Sequence, residues 1–198
     1  MANLFLSDEE RLKLAKVRVG IAGAGGLGSN CAMLLVRAGV RKLVVCDFDT
    51  VEESNLNRQF YFRDQIGMKK VAALGENLRR IEPELELDLR DVRLDAPAMR
   101  EVFAACDVVV EAFDAAEAKL AFFEAMLPTG KKLVAASGMA GWGRSNAIRV
   151  RKAGANLAIA GDGLSGVGGG AYPQGARVSI VAAMEANSAL AFILGEDL

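Results

Sequence analysis

Residues 17–28, VRVGIAGAGGLG, decide how the rest of this chain is read. The first six form a short apolar run rich in β-branched residues, the pattern of a buried strand. They lead straight into Gly23, Gly25, Gly26 and Gly28, while Leu27, Cys31, Leu34 and Leu35 recur at helical spacing. Glycine suits such a turn because the chain reverses tightly and a Cβ would hold the backbone away from a phosphate. The free N–H groups at the head of the helix then face that phosphate, helped by the helix dipole. A second apolar run, 43–46, ends in Asp47, about 20 positions after Gly28, where a βαβ nucleotide-binding unit places a ribose-binding acid. The plain alternative is a turn whose glycines only let a helix pack closely on a strand. Strand, helix and acid together favour a bound nucleotide.

Upstream, residues 7–16 read as a short helix with Ser7 as N-cap, Glu10 in capping-box position and Leu12 on the apolar side. Downstream, 50–65 is polar and has neither helical nor strand period; it carries Asn55, Asn57, Arg58, Gln59 and Arg63. A loop of this length inside a compact domain is usually functional. Residues 67–82 show helical recurrence of Val71, Leu74, Leu78 and Ile81, with Pro83 just beyond. Leu85, Leu87 and Leu89 alternate with acids as in a half-exposed strand. A short helix over 97–105 follows, then a buried strand over 107–110 that ends at Glu111, with Asp114 just past it. A helix over 115–127 precedes a strand over 132–136, which opens into the loop SGMAGWGRS. Further strands over 147–150 and 157–160 are expected to be antiparallel or at an edge. The glycine-dominated segment 161–175 reads as a flexible loop or as a clamp over an extended ligand, and 177–194 as a long core helix closing at Gly195.

This alternation predicts an α/β fold: a Rossmann-like, doubly wound, mostly parallel sheet with a mixed C-terminal edge, in a single domain over 1–198. Ligands of such sheets lie beyond the carboxyl ends of the strands, where Gly23, Asp47, Asp114 and Ser137 belong.

Composition narrows the chemistry. Hydrophobic residues make up 52% of the 198 and are interleaved with 25% charged residues, as in a soluble globular protein. With 24 basic against 25 acidic residues the net charge is −1, which gives no general attraction to nucleic acid. Neither an apolar leader core nor a run of about eighteen apolar residues occurs, so the expectation is a cytoplasmic protein that does not enter a membrane. Cys31, Cys46 and Cys106 sit in or beside apolar runs, never as a CxxC pair, and read as buried reduced thiols. Histidine is absent, which excludes mechanisms built on an imidazole base and argues against a structural zinc site.

The residues DFDTVEESNLNRQF after GAGGLG, then IGMKKV and VVVEAFD, resemble the ThiF and MoeB type of adenylyltransferase, relatives of the ubiquitin-activating enzymes. The similarity is specific over 17–140 and looser beyond. The chain length, the ASGMAGWGRSN loop and the GDG segment look closest to the short, thiamine-pathway form. The resemblance implies an enzyme that uses ATP and Mg2+ to adenylate the C-terminal glycine of a small ubiquitin-like sulfur carrier ending in Gly-Gly, and that works as a homodimer. It places nucleotide contacts on Gly23, Gly25, Gly26 and Gly28, the ribose on Asp47, the triphosphate on Asn55, Arg58, Gln59 and Lys70, and the magnesium-linked carboxylate on Asp114. Asp49 either bonds backbone in its turn or touches nucleotide. Asp114 either caps the following helix or meets the metal, or does both. Trp142 either lines a groove for the carrier's tail or plugs the core. The paired CxxC motifs and acceptor cysteine of longer relatives are missing here, so the expected chemistry stops at the acyl adenylate. Arg11 lies where relatives lend an arginine to a partner subunit, but its arm is shorter and receives no role.

The residues fit that chemistry. ATP brings about four negative charges and an attacking carboxylate one more; Arg58, Lys70 and a metal beside Asp114 would roughly neutralise them. A peptide C-terminus, with a pKa of about 3.5, is already an anionic nucleophile, so no histidine is needed. Three competitors stay open: an NAD-linked oxidoreductase, a non-catalytic nucleotide sensor, and a family member serving a molybdopterin-pathway carrier or a tRNA-modifying dehydration.

Overall fold

A computed structural model describes residues 5–166 and 171–198. The expected βαβ opening is present as β1 (Arg18–Ala22), α2 (Gly26–Ala38) and β2 (Lys42–Asp47), preceded by α1 (Asp8–Lys16). The chain continues through α3 (Lys70–Ile81), β3 (Glu86–Asp91), α4 (Ala96–Val102), β4 (Val108–Glu111), α5 (Ala116–Met126), β5 (Lys132–Ala136), β6 (Arg149–Lys152), β7 (Leu157–Gly161) and α6 (Gly175–Leu194). Seven strands form one sheet in the order β3-β2-β1-β4-β5-β7-β6. All neighbours are parallel except β6, which runs antiparallel to β7 at the edge. The order reverses between β1 and β4, and at such a switch point the flanking loops part to leave a crevice.

Side-chain alternation along the strands divides the core into two layers. Val19, Ile21, Leu43, Val45, Val108 and Val110 pack beneath α2, α3 and α6, through residues such as Leu35, Leu74, Leu78 and Ala186. Val44, Cys46, Val109, Leu133 and Ala135 pack on the opposite side against Met99 of α4, its C-cap Phe103, and Phe122 and Met126 of α5.

Several boundaries differ from the sequence reading for physical reasons. The Ser7–Glu10 capping box forms as expected, but Leu14 is the buried residue of α1 at 1% exposure while Leu12 is 54% exposed. The helix expected from 67 starts at Lys70, because Gly67 adopts a positive φ and the segment behind it bridges back, Thr50 to Lys69, onto the polar loop. Of the two C-terminal strands only β6 is at an edge; β7 lies inside, parallel to β5. The segment 161–175 is tied down at both ends, and its residues 167–170 lie outside the described residues. Among the described residues α6 is a helix long and apolar enough to cross a bilayer. It packs instead on α2, β5 and β7, and it ends in a left-handed Gly195 as expected.

Within α6, Glu185 is fully buried and neither carboxylate oxygen has a hydrogen-bond partner among the described residues. Burial pushes its carboxyl well above the ordinary range, and the negative charge of Glu111 adds to that, against the pull of Lys119. In the unfolded chain the same group ionises at about pH 4.3. Above that pH the unfolded state releases a proton that the folded state retains, so stability is undiminished below about pH 4.3 and falls as pH rises toward the folded-state value. Glu185→Met should therefore leave the melting temperature nearly unchanged at pH 4 and raise it progressively up to pH 8. Parallel melting curves of the two proteins across that range would refute the assignment.

Candidate active site

At the end of β1 the chain turns through Gly23, whose φ is +104° and whose N–H donates to the Cys46 carbonyl at 2.9 Å. A Cβ on Gly23 would stand 2.8 Å from the Ala112 carbonyl oxygen, and one on Gly28 only 1.8 Å from that of Gly23. Those two glycines let α2 and the β4 loop close onto the turn. Gly25 differs: it precedes α2 with φ −78°, and a Cβ there would meet only the Gln59 amide, at 3.9 Å. Among the described residues no side chain caps α2, whose N-cap is Gly25. Its leading N–H groups and dipole are therefore available to an anion.

Asp47, expected at a ribose, fastens two loops. One carboxylate oxygen accepts the Ala24 N–H at 2.7 Å and the other the Asp49 N–H at 2.8 Å. A carboxylate has about four acceptor sites, so it keeps capacity for a ligand hydroxyl.

The polar segment after β2 is ordered despite its lack of period. It contains 3-10 turns at Glu53–Asn55 and Arg63–Gln65. Asn30 of α2 donates to the carbonyls of Gly26 and Arg58, and Ser29 Oγ accepts the Phe60 N–H. The buried Tyr61 hydroxyl donates to the Ala24 carbonyl at 2.7 Å and reaches that of Lys70 at 3.3 Å, while Asn77 donates to Phe60 and pairs with Gln65. The sequence reading missed these residues. Their one signal was the polar Ser29–Asn30 pair within an otherwise apolar helix.

The loop carries Arg58 into the crevice, braced by the Ser54 carbonyl at 3.0 Å and the Asn57 side chain at 2.8 Å. Asn55 is buried and shapes its own turn by accepting the Glu52 N–H. Gln59 lies over Gly25 with its Oε1 buried and without a hydrogen-bond partner among the described residues. A buried acceptor of this kind is costly unless a ligand donor meets it.

Arg58, Lys70 and Asp114 line one cavity of about 730 Å³ together with Gly23, Gly25, Gly26, Asp47, Asp49 and Gln59. A polar recess of about 390 Å³ shares Arg58, Lys70 and Asp114 with it and adds Asn55. Lys70 is buried at the first position of α3, its Nζ 2.7 Å from the Asp49 carboxylate. Asp49 thus does something neither expectation named: it neutralises a lysine. Asp114 sits exposed on the loop between β4 and α5 and does not cap α5, whose N-cap Ala115 receives no side-chain bond. That removes the capping alternative.

Behind Asp114, the fully buried Glu111 accepts the Phe113 N–H at 2.7 Å and both of its oxygens meet Lys119 Nζ at 2.9 Å. Lys119 also donates to the Ala136 carbonyl, which locks the Asp114 loop between α5 and β5. Burial raises the Glu111 carboxyl against the attraction of Lys119. On the far wall, the buried Arg177 pairs with Asp162 at 2.7 Å and donates to the Gly143 carbonyl. Burial alone would raise the Asp162 carboxyl, but the Ser165 and Leu164 amides and Arg177 hold it down to about 2. An Ala140–Pro173 bridge closes this wall, and Tyr172, Pro173 and Ser165 line the cavity. Trp142 is 72% exposed and so plugs no core.

Cys31, Cys46 and Cys106 are buried and free, and burial pushes the Cys46 and Cys106 thiols up to about 12. Among the described residues no group of three or more His, Cys, Asp or Glu side chains is placed to hold a metal. A Mg2+ ion needs less: one or two carboxylates, with phosphate oxygens and water completing its shell. Asp114 fits that requirement.

A family model described as the ThiF family matches residues 1–198. The chain belongs to the ThiF family. Among ThiF-related proteins, it is 42% identical over 84 residues to ubiquitin-like modifier-activating enzyme 5 of Drosophila erecta, covering 42% of this chain and 20% of that protein. It is 39% identical over 110 residues to SAMP-activating enzyme E1 of Haloferax volcanii, covering 55% and 41% respectively. A third relative, adenylyltransferase and sulfurtransferase UBA4 of Eremothecium gossypii, is 33% identical over 130 residues, covering 65% and 29%. The matched segments thus span less than half the length of these relatives. The fold matches E. coli tRNA N6-threonylcarbamoyladenosine dehydratase, TcdA, solved with ATP, with TM-score 0.86 and 20% identity over 95% of this chain and 90% of that one. It also matches E. coli MccB with ATP, with TM-score 0.71 and 20% identity over 93% and 57%.

The ThiF glycine turn separates two roles that substitution can distinguish. Gly28→Ala should lower stability by about 1–3 kcal/mol or more, since the new Cβ meets backbone. Gly25→Ala should melt within about a degree of the parent, yet lose at least about tenfold in triphosphate affinity, because its methyl faces the anion site. Calorimetric melts with and without ATP check both. Equal loss of stability in the two variants would show that Gly25 is merely structural.

Proposed function

We propose that this chain is an ATP-dependent adenylyltransferase that activates the C-terminal glycine of a small ubiquitin-like carrier and releases pyrophosphate. The observation that carries the reading is the convergence of Arg58, Lys70 and Asp114 on one cavity at the uncapped head of α2. A dinucleotide carries a diphosphate, which a helix N-terminus largely neutralises; two fixed cations and a free carboxylate suit a triphosphate and its metal better.

In the proposed reaction one carboxylate oxygen of the carrier's terminal glycine attacks the α-phosphorus of ATP. A bond forms between that oxygen and phosphorus, and the bond from phosphorus to the α–β bridging oxygen breaks. Pyrophosphate leaves with the electron pair, and no proton moves, in keeping with a chain that lacks histidine. Arg58 offers a planar fork to two phosphate oxygens, and Lys70 a point charge to the leaving group. Asp114 would hold Mg2+ against the phosphates, where the ion supplies charge neutralisation. Asp47 faces the ribose and Gln59 the glycine turn. Positioning and fixed charge supply most of the acceleration.

We further propose, as the finer reading, a ThiS-like sulfur carrier ending in Gly-Gly, a homodimeric enzyme, and a cytoplasmic role in thiamine synthesis. Two aspects support it: small residues, Gly138 and Ala140, line the far wall where an extended tail would enter, and the buried thiols make a later thioester on this chain unsuitable.

The test is mass spectrometry of Gly-Gly-ended carriers incubated with the chain, ATP and Mg2+, with pyrophosphate exchange measured alongside. An added AMP on the carrier and carrier-dependent exchange are expected. Arg58→Ala and Asp114→Ala should each lower exchange by about 10²–10³-fold while the proteins remain folded. Absence of adenylate on every such carrier, with ATP bound, would overturn the proposal.

A further inference from the structure

Lys70 is a cation buried in a protein wall. Its side chain is 8% exposed, that of its partner Asp49 48%. An ammonium so placed is costly without a counter-ion. The two residues are also joined through backbone, since the Lys70 N–H donates to the Asp49 carbonyl at 3.0 Å and the next pair, Thr50 and Lys69, forms a bridge. The Asp49 N–H is held by Asp47. The backbone of Asp49 is therefore fixed at both ends, while its carboxylate is half in solvent, so that parting it from Lys70 would take only side-chain rotation. Lys70 has no such freedom. Both line the cavity and the polar recess with Arg58 and Asp114.

Two anions cannot share one ammonium in this space at full strength. A phosphate group that reaches Lys70 meets the Asp49 carboxylate already there, and like charges a few ångströms apart repel. We propose that Asp49 is a resident counter-ion that competes with the polyphosphate for Lys70. It keeps the lysine neutralised and in place while the site is free of nucleotide, yields it when a triphosphate enters, and reclaims it as pyrophosphate departs. Asp49 is thus a positioning residue that lowers ground-state affinity for phosphate and speeds product release. The inference rests on the anion site of the proposed function but needs no carrier.

The opposite role is equally concrete. If Asp49 held nucleotide or metal directly, its removal would weaken binding. Titration calorimetry of the parent, Asp49→Asn and Asp49→Glu with ATP–Mg2+, and separately with inorganic pyrophosphate, distinguishes the two. Asp49→Asn should bind pyrophosphate about tenfold tighter, and ATP tighter as well, with slower pyrophosphate dissociation, whereas Asp49→Glu restores parental behaviour. In a Lys70→Gln background the same asparagine substitution should change pyrophosphate affinity less than about twofold, because the effect runs through the lysine. Asp49→Ser provides the same readout should the asparagine variant fail to fold. Weaker or unchanged binding in Asp49→Asn, or equal tightening without Lys70, would overturn the proposal. A parent that binds both anions but adenylates no carrier would sink the proposed function and leave the counter-ion result standing; a parent that binds neither anion overturns both.

Discussion

The two hydrogen bonds of the Asp47 carboxylate hold this site together. One reaches back to Ala24 in the glycine turn and the other forward to Asp49 at the start of the polar loop. Strand β2 thereby fixes both the turn that leads into the head of α2 and the residue that pairs with Lys70. Tyr61 completes the connection by joining the same turn to the first residue of α3. The polar loop joins the glycine turn to α3, through Tyr61 to Ala24 and Lys70 and through Phe60 and Gln65 to Asn77, and these bonds are buried or part-buried.

Charge is managed in the same economical way. Arg58 and Lys70 line the crevice near the exposed Asp114, and their partners are drawn from the loop itself: Asn57 and a carbonyl for Arg58, and Asp49 for Lys70. On the opposite side of the crevice, Glu111 and Lys119 form a strut under Asp114, and Asp162 and Arg177 clamp the loops that close the far wall. Breaking either buried pair leaves a charge without compensation, which makes them rigid supports for mobile chemistry. Glu185 is the exception: an acid with no hydrogen-bond partner among the described residues, its carboxyl pushed up by burial and by the negative charge of Glu111.

The far wall is built to a different rule. Positive-φ glycines at 138, 161 and 163 allow the loops after β5 and β7 to cross in direct backbone contact, with the Asp162 N–H bonded to Gly138 and that of Gly163 to Ser137. Its loops are thus held by backbone contacts and by the Asp162–Arg177 clamp.

What the sequence determined alone was whatever local physics decides. Hydrophobic period, glycine placement and caps gave the strand–turn–helix opening, the order of elements and the doubly wound sheet, because each depends on neighbours a few residues apart. Gly23, Gly25, Asp47 and Asp114 were likewise readable as site candidates, since glycine pattern and spacing place them at or just beyond strand ends, whereas Arg58 and Lys70, in a loop without period and at a helix start, were assigned only through the resemblance to ThiF and MoeB. Only the tertiary structure decided who bonds whom. Asp49 belongs to Lys70, Asp114 does not cap its helix, Trp142 faces solvent, and Asn30, Ser29 and Tyr61 hold a loop that has no period of its own. Such contacts join residues tens of positions apart, and no local pattern encodes them; they exist only once the sheet has brought the carboxyl ends of β1, β2 and β4 together.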